Sequence, residues 1–356
     1  MKHGLLCLLS LLLTQALPAN TSSAKPIPIK IVVVAMFERG ELSGDRPGEF
    51  QYWVENYPLE TELPNPGGYL PLRLNADEGV LGMVTGIGTA RAAASVMGLG
   101  MDARFDLSQA YWVIAGIAGA DPENMSLGSA AWAEWLVDGD ISHSIDIREA
   151  PEAWPTGRIP LRRKQPYEQP PAENNEGAWY RLNPELVHWA YGMTKDIELA
   201  DSPSLSVPRA RYEGFPKAQE PPKVILGDNL AAMNYWHGAL LNDWANAWVD
   251  YWTEGQGEFV TSAMEDTGTL QALRFLEGAG KVDTQRVLVL RTASNYTMQW
   301  PGATALESLK GEDLRGQGYS AYIPALEAAY QVGSPVVRAL VQGWDTYRQT
   351  PPSPTE

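Results

Sequence analysis

The stretch LGMVTGIGTARAAASVMGLGMD (81–102) carries the pattern that decides the fold. It opens with an apolar run, LGMVTG (81–86), which is typical of a strand buried on both faces of a sheet. After a second glycine it continues as an alanine-rich segment, TARAAASVMGLGMD (89–102), whose apolar spacing suits a helix packed on a sheet. A buried strand that turns at glycines into a helix indicates an α/β fold.

Similar buried runs recur along the chain and predict further strands. These runs are IKIVVVAM (29–36), AYWVIAG (110–116), SAAWAEWLVD (129–138) and RVLVLRTAS (286–294). The run at 129–138 alternates more than the others, which favours a position nearer the edge of the sheet. We therefore predict one three-layer α/β domain over residues 25–349, with a mostly parallel central sheet covered by helices on both faces.

Residues 151–222 differ from the rest of the chain. They are rich in proline and contain a small basic cluster at 162–164, which predicts a long surface insertion rather than a second core. Within the insertion, 183–201 has helical spacing and a good start signal at Asn183-Pro184. We expect the tail at 350–356 to be disordered.

The first 24 residues have the features of a secretory signal peptide. Lys2 precedes an apolar run that is too short to span a membrane, and small residues allow cleavage after Ala24. We therefore expect export across a membrane, to the periplasm in a bacterium, and no membrane span of the protein's own. Cys7 would be lost with the signal, so the mature chain would lack disulfides and cysteine chemistry.

The composition excludes several classes of ligand. A net charge of −16 argues against nucleic acid and against an anionic membrane surface as partners. The four histidines form no pair with metal-ligand spacing, so we expect no metal site and no cofactor.

The segment AMEDTGTLQAL (263–273) places an acid at the start of an otherwise apolar helical pattern. A carboxylate in such surroundings is costly unless something satisfies it, and the two hydroxyls of a sugar diol would do so. The alternative for Glu265 is an acid that is merely favoured by the helix dipole.

Three strand ends carry glycine or polar residues that could line one pocket, because ligands of open α/β sheets bind beyond the carboxyl ends of strands. Gly86 and Gly116 allow close approach at two of these ends, and Ser294 and Asn295 leave the third. The first turn is not a dinucleotide fingerprint, because Arg91 stands where that motif needs glycine.

Several longer segments carry a family resemblance, and they occur in order along the chain: VTGIGTARAA (84–93), VIAGIAGADPENMSLGSAAWAEWLVDGDI (113–141), SAMEDTG (262–268) and VLRTASNYTMQWPG (289–302). With them, residues 29–345 resemble the purine nucleoside permease family, which is similar in fold to the nucleoside phosphorylase and nucleosidase superfamily. The resemblance implies a sheet of the phosphorylase type and purine nucleosides or nucleobases as ligands. The insertion at 151–222 is not part of the superfamily pattern.

The resemblance assigns roles to individual residues. Met264 and Glu265 match a pair that contacts ribose. Asn295 stands where many superfamily enzymes have an aspartate that protonates the purine as the glycosidic bond breaks. An amide cannot deliver a proton, but it can hydrogen-bond a purine edge. Tyr235 and Trp236 lie where a purine could be stacked, although core packing is an equal alternative for the tryptophan.

The resemblance also bears on the attacking group. The arginine and serine that bind phosphate in phosphorylases correspond to Ile114 and Ile117, which favours water over phosphate; Arg39 is a candidate substitute. Nucleosidases place a water-activating glutamate in the loop after the first strand, where Glu38 and Glu41 are both candidates.

Two functions follow from the resemblance. The first is an extracytoplasmic purine-nucleoside-binding protein that takes part in uptake, with a membrane transporter and further copies of the chain as candidate partners. The second is a purine nucleosidase, or less favourably a phosphorylase, in which Glu265 and Asn295 serve catalysis. The loss of the acid at Asn295 favours the first.

Overall fold

The computed structural model of the chain describes residues 25–313 and 321–354, so the predicted signal peptide lies outside the described residues. The strands are β1 (Ile27–Pro28), β2 (Ile31–Ala35), β3 (Thr61–Leu63), β4 (Leu72–Asn75), β5 (Val80–Val84), β6 (Phe105–Asp106), β7 (Tyr111–Ala120), β8 (Ala130–Ala133), β9 (Trp135–Asp138), β10 (Ser142–Ser144), β11 (Arg158–Pro160), β12 (Trp179–Arg181), β13 (Val224–Leu226), β14 (Asp228–Ala231), β15 (Phe259–Ala263) and β16 (Val287–Tyr296).

The helices lie between these strands and after the last one. They are α1 (Gln51–Asn56), α2 (Thr89–Gly100), α3 (Pro184–Thr194), α4 (Pro203–Arg209), α5 (Pro216–Gln219), α6 (Ala239–Thr253), α7 (Asp266–Gly278), α8 (Ala305–Asp313), α9 (Tyr322–Gln342) and α10 (Trp344–Tyr347), with short 3₁₀ turns at Ile147–Glu149 and Thr284–Arg286.

Within the described residues, twelve strands form the central sheet, in the order β12-β9-β14-β15-β7-β2-β5-β4-β3. Strand β16 pairs with β7 and β8, and β8 pairs with β13. Parallel pairings join β2 to β5 and β7, β7 to β16, β13 to β8, and β14 to β9 and β15. Antiparallel pairings join β15 to β7, β8 to β16, and the outer strands β3, β4 and β12 to their neighbours. The large central sheet of an α/β fold is confirmed.

The main core lies between this sheet and its helices. Helices α2 and α7 pack on each other, and α9 packs along β7 and β16. The strands β2, β5 and β16 are buried along their whole length, as their β-branched runs predict. Among the described residues, no helix combines the length and the hydropathy that crossing a bilayer requires.

The predicted strand at 129–138 is in fact two strands that part at Glu134. The cause is the buried carboxylate of Asp228, whose Oδ1 accepts hydrogen bonds from the backbone amides of Glu134 (3.0 Å) and Trp135 (2.7 Å). Strand β8 consequently pairs with β16 and β13, while β9 pairs with β14 and β12. The sequence run was read correctly as extended, but its division depends on a residue about ninety positions away.

The proline-rich segment at 151–222 contributes to the main core from one side. It supplies the edge strand β12, and helix α3 buries Leu186 and Val187 in the main hydrophobic cluster. The side chain of Asn183 caps α3 by accepting from the amide of Glu185 at 3.1 Å, as the start signal predicts. The helix ends at Thr194 rather than near 201, because the following segment leaves the helix and packs Ile197 and Leu199 against the core.

Candidate functional site

A cavity of about 370 Å³ opens where β2, β7, β15 and β16 end. Its walls are mostly apolar and include a few polar groups, as is usual for a small-molecule site. The lining residues are Met36, Phe37, Glu38, Arg39, Glu49, Tyr69, Ile87, Ile117, Ala118, Gly119, Tyr235, Ser262, Ala263, Met264, Glu265, Ser294, Asn295 and Tyr322.

Glu265 lies in the cavity wall directly before α7, and the residue is 5% exposed. Its Oε1 accepts from the backbone amide of Gly88 (3.0 Å) and its Oε2 from that of Met264 (3.2 Å). The side chain makes no capping hydrogen bond to its own helix. Burial raises the pKa of Glu265, and the attraction of Arg291 opposes that rise. The carboxylate is therefore held towards the cavity, and helix capping does not explain its position.

Arg291 and Asp266 lie behind Glu265 and were not among the predicted site residues. Arg291 is 1% exposed in β16, and its Nη2 donates to Asp266 Oδ1 at 2.8 Å while its Nε lies 3.1 and 3.2 Å from the two Asp266 oxygens. Its Nη2 lies 3.4 Å from Glu265 Oε2. A charge inside the run RVLVLRTAS is itself a signal, because a buried arginine requires a partner.

Glu49 is the acid of the loop after β2 that lies deepest in the cavity wall, and it was not predicted. Its Oε2 accepts from the amide of Met36 and its Oε1 from that of Ile117, each at 2.7 Å. Burial raises the pKa of Glu49 to about 8, although the charge of Arg291 works in the opposite direction. No sequence pattern distinguishes Glu49, because the loop folds back by an amount that spacing does not reveal.

The two glutamates that the sequence suggested have other surroundings. Glu38 lines the cavity, but its carboxylate accepts from the backbone amides of Arg39 (2.9 Å), Phe50 (3.1 Å), Gln51 (2.7 Å) and Gly48, so it holds the loop together. Glu41 is exposed and is not among the lining residues. Of the acids in this loop, Glu49 is therefore the best placed to meet a ligand.

Asn295 and Ser294 are further polar residues that line the cavity. A register shift in β16 pairs Asn295 with Gly119, and Asn295 is 3% exposed. Its Nδ2 donates to Tyr235 Oη and to the carbonyl of Tyr296, both at 3.1 Å, and its Oδ1 accepts from Ser294 Oγ at 2.9 Å. The amide is thus oriented by its own strand and by one residue of the loop at 232–238.

The remaining predicted ligand contacts divide into two groups. Met264 and Tyr235 line the cavity, and Tyr235 is also 41% exposed. Trp236 is buried in an aromatic cluster, packs edge-on against Trp244, and reaches only a small adjoining cavity of about 20 Å³.

Gly86 and Gly116 are not among the lining residues and act through the backbone. Gly86 has a φ of +85°, in the region that favours glycine. Gly116 lies in β7 beneath Met36 and Glu49, where a Cβ would overlap both side chains.

The two isoleucines that stand where phosphorylases bind phosphate differ in their surroundings. Ile114 is fully buried within β7, whereas Ile117 lines the cavity. The guanidinium of Arg39 lies 5.0 Å from the ring centre of Tyr322 in the cavity wall, and that of Arg46 lies 5.6 Å from the same ring. Within residues 25–313 and 321–354, no group of three or more His, Cys, Asp and Glu side chains has the geometry of a metal site.

Solved structures similar to this chain include nucleosidases. A 5′-methylthioadenosine/S-adenosylhomocysteine nucleosidase from Neisseria meningitidis superposes with a TM-score of 0.50 over 87% of this chain and 100% of its own, at 15% identity. A putative enzyme of the same name from Francisella philomiragia gives 0.51 over 88% and 98%, at 13% identity. At these identities the likeness establishes the nucleoside phosphorylase and nucleosidase fold and nothing finer.

The sequence comparison identifies the family. The model of the purine nucleoside permease (NUP) family matches residues 28–352, and the chain belongs to that family. A protein named probable purine nucleoside permease in Schizosaccharomyces pombe is 29% identical over 286 residues, or 78% of this chain and 80% of the relative. A purine nucleoside permease of Candida albicans is 26% identical over 337 residues, or 92% and 79%.

Proposed function

We propose that this chain binds a purine nucleoside in the cavity beside Glu265, and that it does so as an extracytoplasmic component of nucleoside uptake. The observation that carries the proposal is the Glu265 carboxylate, which backbone amides hold in the wall of a mostly apolar cavity. The names of the relatives support a role connected with nucleoside transport.

The ribose accounts for the position of Glu265. The Oε1 atom accepts one backbone hydrogen bond and has capacity left for another donor, whereas Oε2 accepts from the Met264 amide and also lies 3.4 Å from Arg291 Nη2. The 2′ and 3′ hydroxyls of ribose supply two donors side by side, which hypoxanthine alone does not. Hydrogen bonds to a charged group in such surroundings contribute about 1.5–3 kcal/mol each. We therefore expect inosine to bind more tightly than hypoxanthine.

The purine accounts for Asn295 and Tyr235 in the cavity wall. Asn295 presents an amide, and Tyr235 adds an aromatic ring at the same side. The Oδ1 atom of Asn295 can accept from a purine N–H in addition to Ser294 Oγ, whereas both Nδ2 hydrogens are already donated to Tyr235 Oη and the carbonyl of Tyr296. The half-exposed ring of Tyr235 would stack on the base as it enters.

The location of the protein remains a prediction from the sequence. The segment at 1–24 supports export, to the periplasm in a bacterium. A protein that captures nucleoside there needs a separate membrane transporter to complete uptake, and we propose such a transporter as its partner. Separation of cell fractions, followed by alkaline extraction of the membranes, tests this; a protein that resists extraction would contradict it.

Calorimetric titration of the purified protein tests the binding proposal. We expect inosine or guanosine to bind, and hypoxanthine to bind more weakly. The pyrimidine nucleoside uridine is the matched control, because it carries the same ribose on a smaller base. Equal affinity for inosine and uridine, or no binding of any purine nucleoside, would overturn the proposal.

A second candidate function is hydrolysis of the N-glycosidic bond, and the position of Glu49 favours it. Glu49 lies in the loop where the superfamily resemblance expects a water-activating acid, and it lines the same cavity as Glu265. When deprotonated it could take a proton from water as the oxygen attacks C1′ of the ribose. The bond from C1′ to the purine nitrogen would break, and the purine would leave with the bonding electrons and take a proton from solvent.

The departure of the purine is the step that this site assists least. Asn295 can donate a neutral hydrogen bond to the departing base, but it cannot transfer a proton. General acid help is typically worth about 10²–10⁴-fold, so hydrolysis without it is slow rather than excluded. This is why binding remains the first proposal.

Incubation of the protein with inosine, with and without phosphate, distinguishes the two functions. Release of hypoxanthine without phosphate, lost in Glu49→Gln, would establish hydrolysis. Phosphate-dependent release would show that the isoleucines at 114 and 117 do not preclude phosphorolysis. Tight binding without release supports the uptake role.

A further inference from the structure

Arg291 is a buried cation with three acids around it, and the acids are not equivalent. Asp266 is fully buried and makes the short contacts, with both of its oxygens facing the guanidinium. Glu265 lies farther away, at 3.4 Å, and Glu49 acts on Arg291 only through its charge. A two-pronged pair between arginine and a carboxylate is the strongest of these arrangements, so Asp266 is the principal partner of the cation.

Asp266 does not reach the ligand cavity. It is the first residue of α7, follows Glu265 directly, and is not among the lining residues. The two consecutive carboxylates diverge: Asp266 turns inward to Arg291, while Glu265 binds the backbone amides that hold it in the cavity wall. Asp266 can therefore act on a ligand only indirectly, through Arg291 and through its charge repulsion of Glu265.

We propose that Asp266 is a positioning residue, which binds and neutralises the guanidinium of Arg291 and so leaves the Glu265 carboxylate free for the ribose hydroxyls. The proposal rests on nucleoside binding in this cavity. Without the Asp266 charge, the cation would be left buried with Glu265 as its nearest acid, and the attraction between them would draw Oε2 away from the cavity. Loss of the Asp266 charge would also leave Arg291 free to attract Glu49 more strongly, since the two already interact electrostatically.

The variant Asp266→Asn tests the proposal, since it removes the charge and nearly keeps the shape. We expect affinity for inosine to fall by about tenfold or more, which corresponds to the loss of one hydrogen bond to a charged group. Affinity for hypoxanthine should stay within about twofold, because the base does not meet Glu265. A merely structural role would weaken both ligands together.

Asp138→Asn is the matched control. Asp138 is also buried, and its Oδ2 accepts from Thr267 Oγ1 at 2.7 Å, so it supports the same end of α7 without touching Arg291. This variant should leave the ratio of inosine to hypoxanthine affinity unchanged. If it shifts the ratio as much as Asp266→Asn does, the effect comes from the helix end and the proposal is wrong.

The variant Asp266→Glu decides the case even if Asp266→Asn fails to fold. It keeps the negative charge that pairs with Arg291, so no unpaired cation is left in the interior. We expect it to keep an inosine to hypoxanthine ratio close to that of the unmodified chain. A folded Asp266→Glu with a ratio lower by about tenfold, or a folded Asp266→Asn with unchanged inosine affinity, would overturn the proposal.

The two proposals fail in distinguishable ways. If the unmodified chain binds neither inosine nor hypoxanthine, nucleoside binding itself is wrong. If it binds inosine more tightly than hypoxanthine and Asp266→Asn leaves that difference intact, nucleoside binding stands and the positioning role of Asp266 fails.

Discussion

The carboxylate of Glu265 and the backbone amide of Gly88 are 177 residues apart in sequence and 3.0 Å apart in the fold. The bond joins the start of α7 to the turn between β5 and α2, and α2 and α7 then pack along each other. Gly88 has a φ of +95°, and a Cβ there would overlap the thioether of Met233. The turn thus requires glycine at this position. The conformation of the turn directs the Gly88 amide at the carboxylate of Glu265.

Removal of the Glu265 carboxylate should weaken the binding of the nucleoside but not that of the free base. In Glu265→Ala we expect inosine to bind about 10–100-fold more weakly, because one or two charge-assisted hydrogen bonds are lost at about 1.4 kcal/mol per decade. Hypoxanthine should bind nearly as before. Calorimetry on both ligands provides the measurement, and unchanged affinity for both would show that Glu265 has no role in ribose binding.

Asn295 should matter for base and nucleoside alike. In Asn295→Ala we expect both ligands to weaken by a similar factor, because the amide faces the purine side of the cavity. Asn295→Asp is the informative companion, since a carboxyl group at this position could supply the missing proton. If the chain hydrolyses nucleosides, Asn295→Asp should speed base release, within the roughly 10²–10⁴-fold range of general acid help. A slower release in the aspartate variant would contradict this role.

Tyr235 should act through its ring more than its hydroxyl. The hydroxyl accepts a hydrogen bond from Asn295 Nδ2, so in Tyr235→Phe that donor becomes available to a purine. We expect Tyr235→Phe to bind hypoxanthine at least as tightly as the unmodified chain. Tyr235→Ala should bind it more weakly, by the roughly 0.5–1.5 kcal/mol of a ring contact. Weaker binding in the phenylalanine variant would show that the hydroxyl itself contacts the ligand.

The parts of the fold that the sequence predicts are those with local causes. The runs at β2, β5, β7 and β16 are long and apolar enough to identify themselves. The strand β14, with the sequence DNLA, lacks such a run and depends on its neighbours β9 and β15 for its pairing. The break at Glu134 depends on Asp228, which no local pattern reveals.

The site residues also divide into those that local motifs predict and those that depend on the tertiary fold. Glu265, Met264, Ser294, Asn295 and Tyr235 were predicted from motifs and line the cavity. Glu49 was missed because its place beside Met36 and Ile117 results from the path of a long loop. Arg291 and Asp266 could have been predicted from the sequence, because a cation within a buried strand needs a buried acid as its partner.

The protonation of Glu49 should link both stability and any hydrolysis to pH. Burial raises its pKa from the usual 4.5 to about 8, so the folded chain holds a proton that the unfolded chain releases. The stability that this proton contributes is fully present below about pH 4.5 and is lost as pH rises through about 8. Glu49→Gln cannot lose a proton, so the fall in its melting temperature between pH 5 and 8 should be smaller than in the unmodified chain.

The titration of Glu49 also determines whether the rate of hydrolysis rises or falls with pH. Glu49 acts as a base only when deprotonated, so base release from inosine should increase as pH rises through about 8 and level off above it. In Glu49→Gln the release should be lost at every pH, while inosine still binds through Glu265. Glu49→Asp is the control, because it keeps the acid but withdraws it from the cavity. A rate that falls as pH rises from 6 to 9 would mean that protonated Glu49 is the active form, and water activation by this residue would then be wrong.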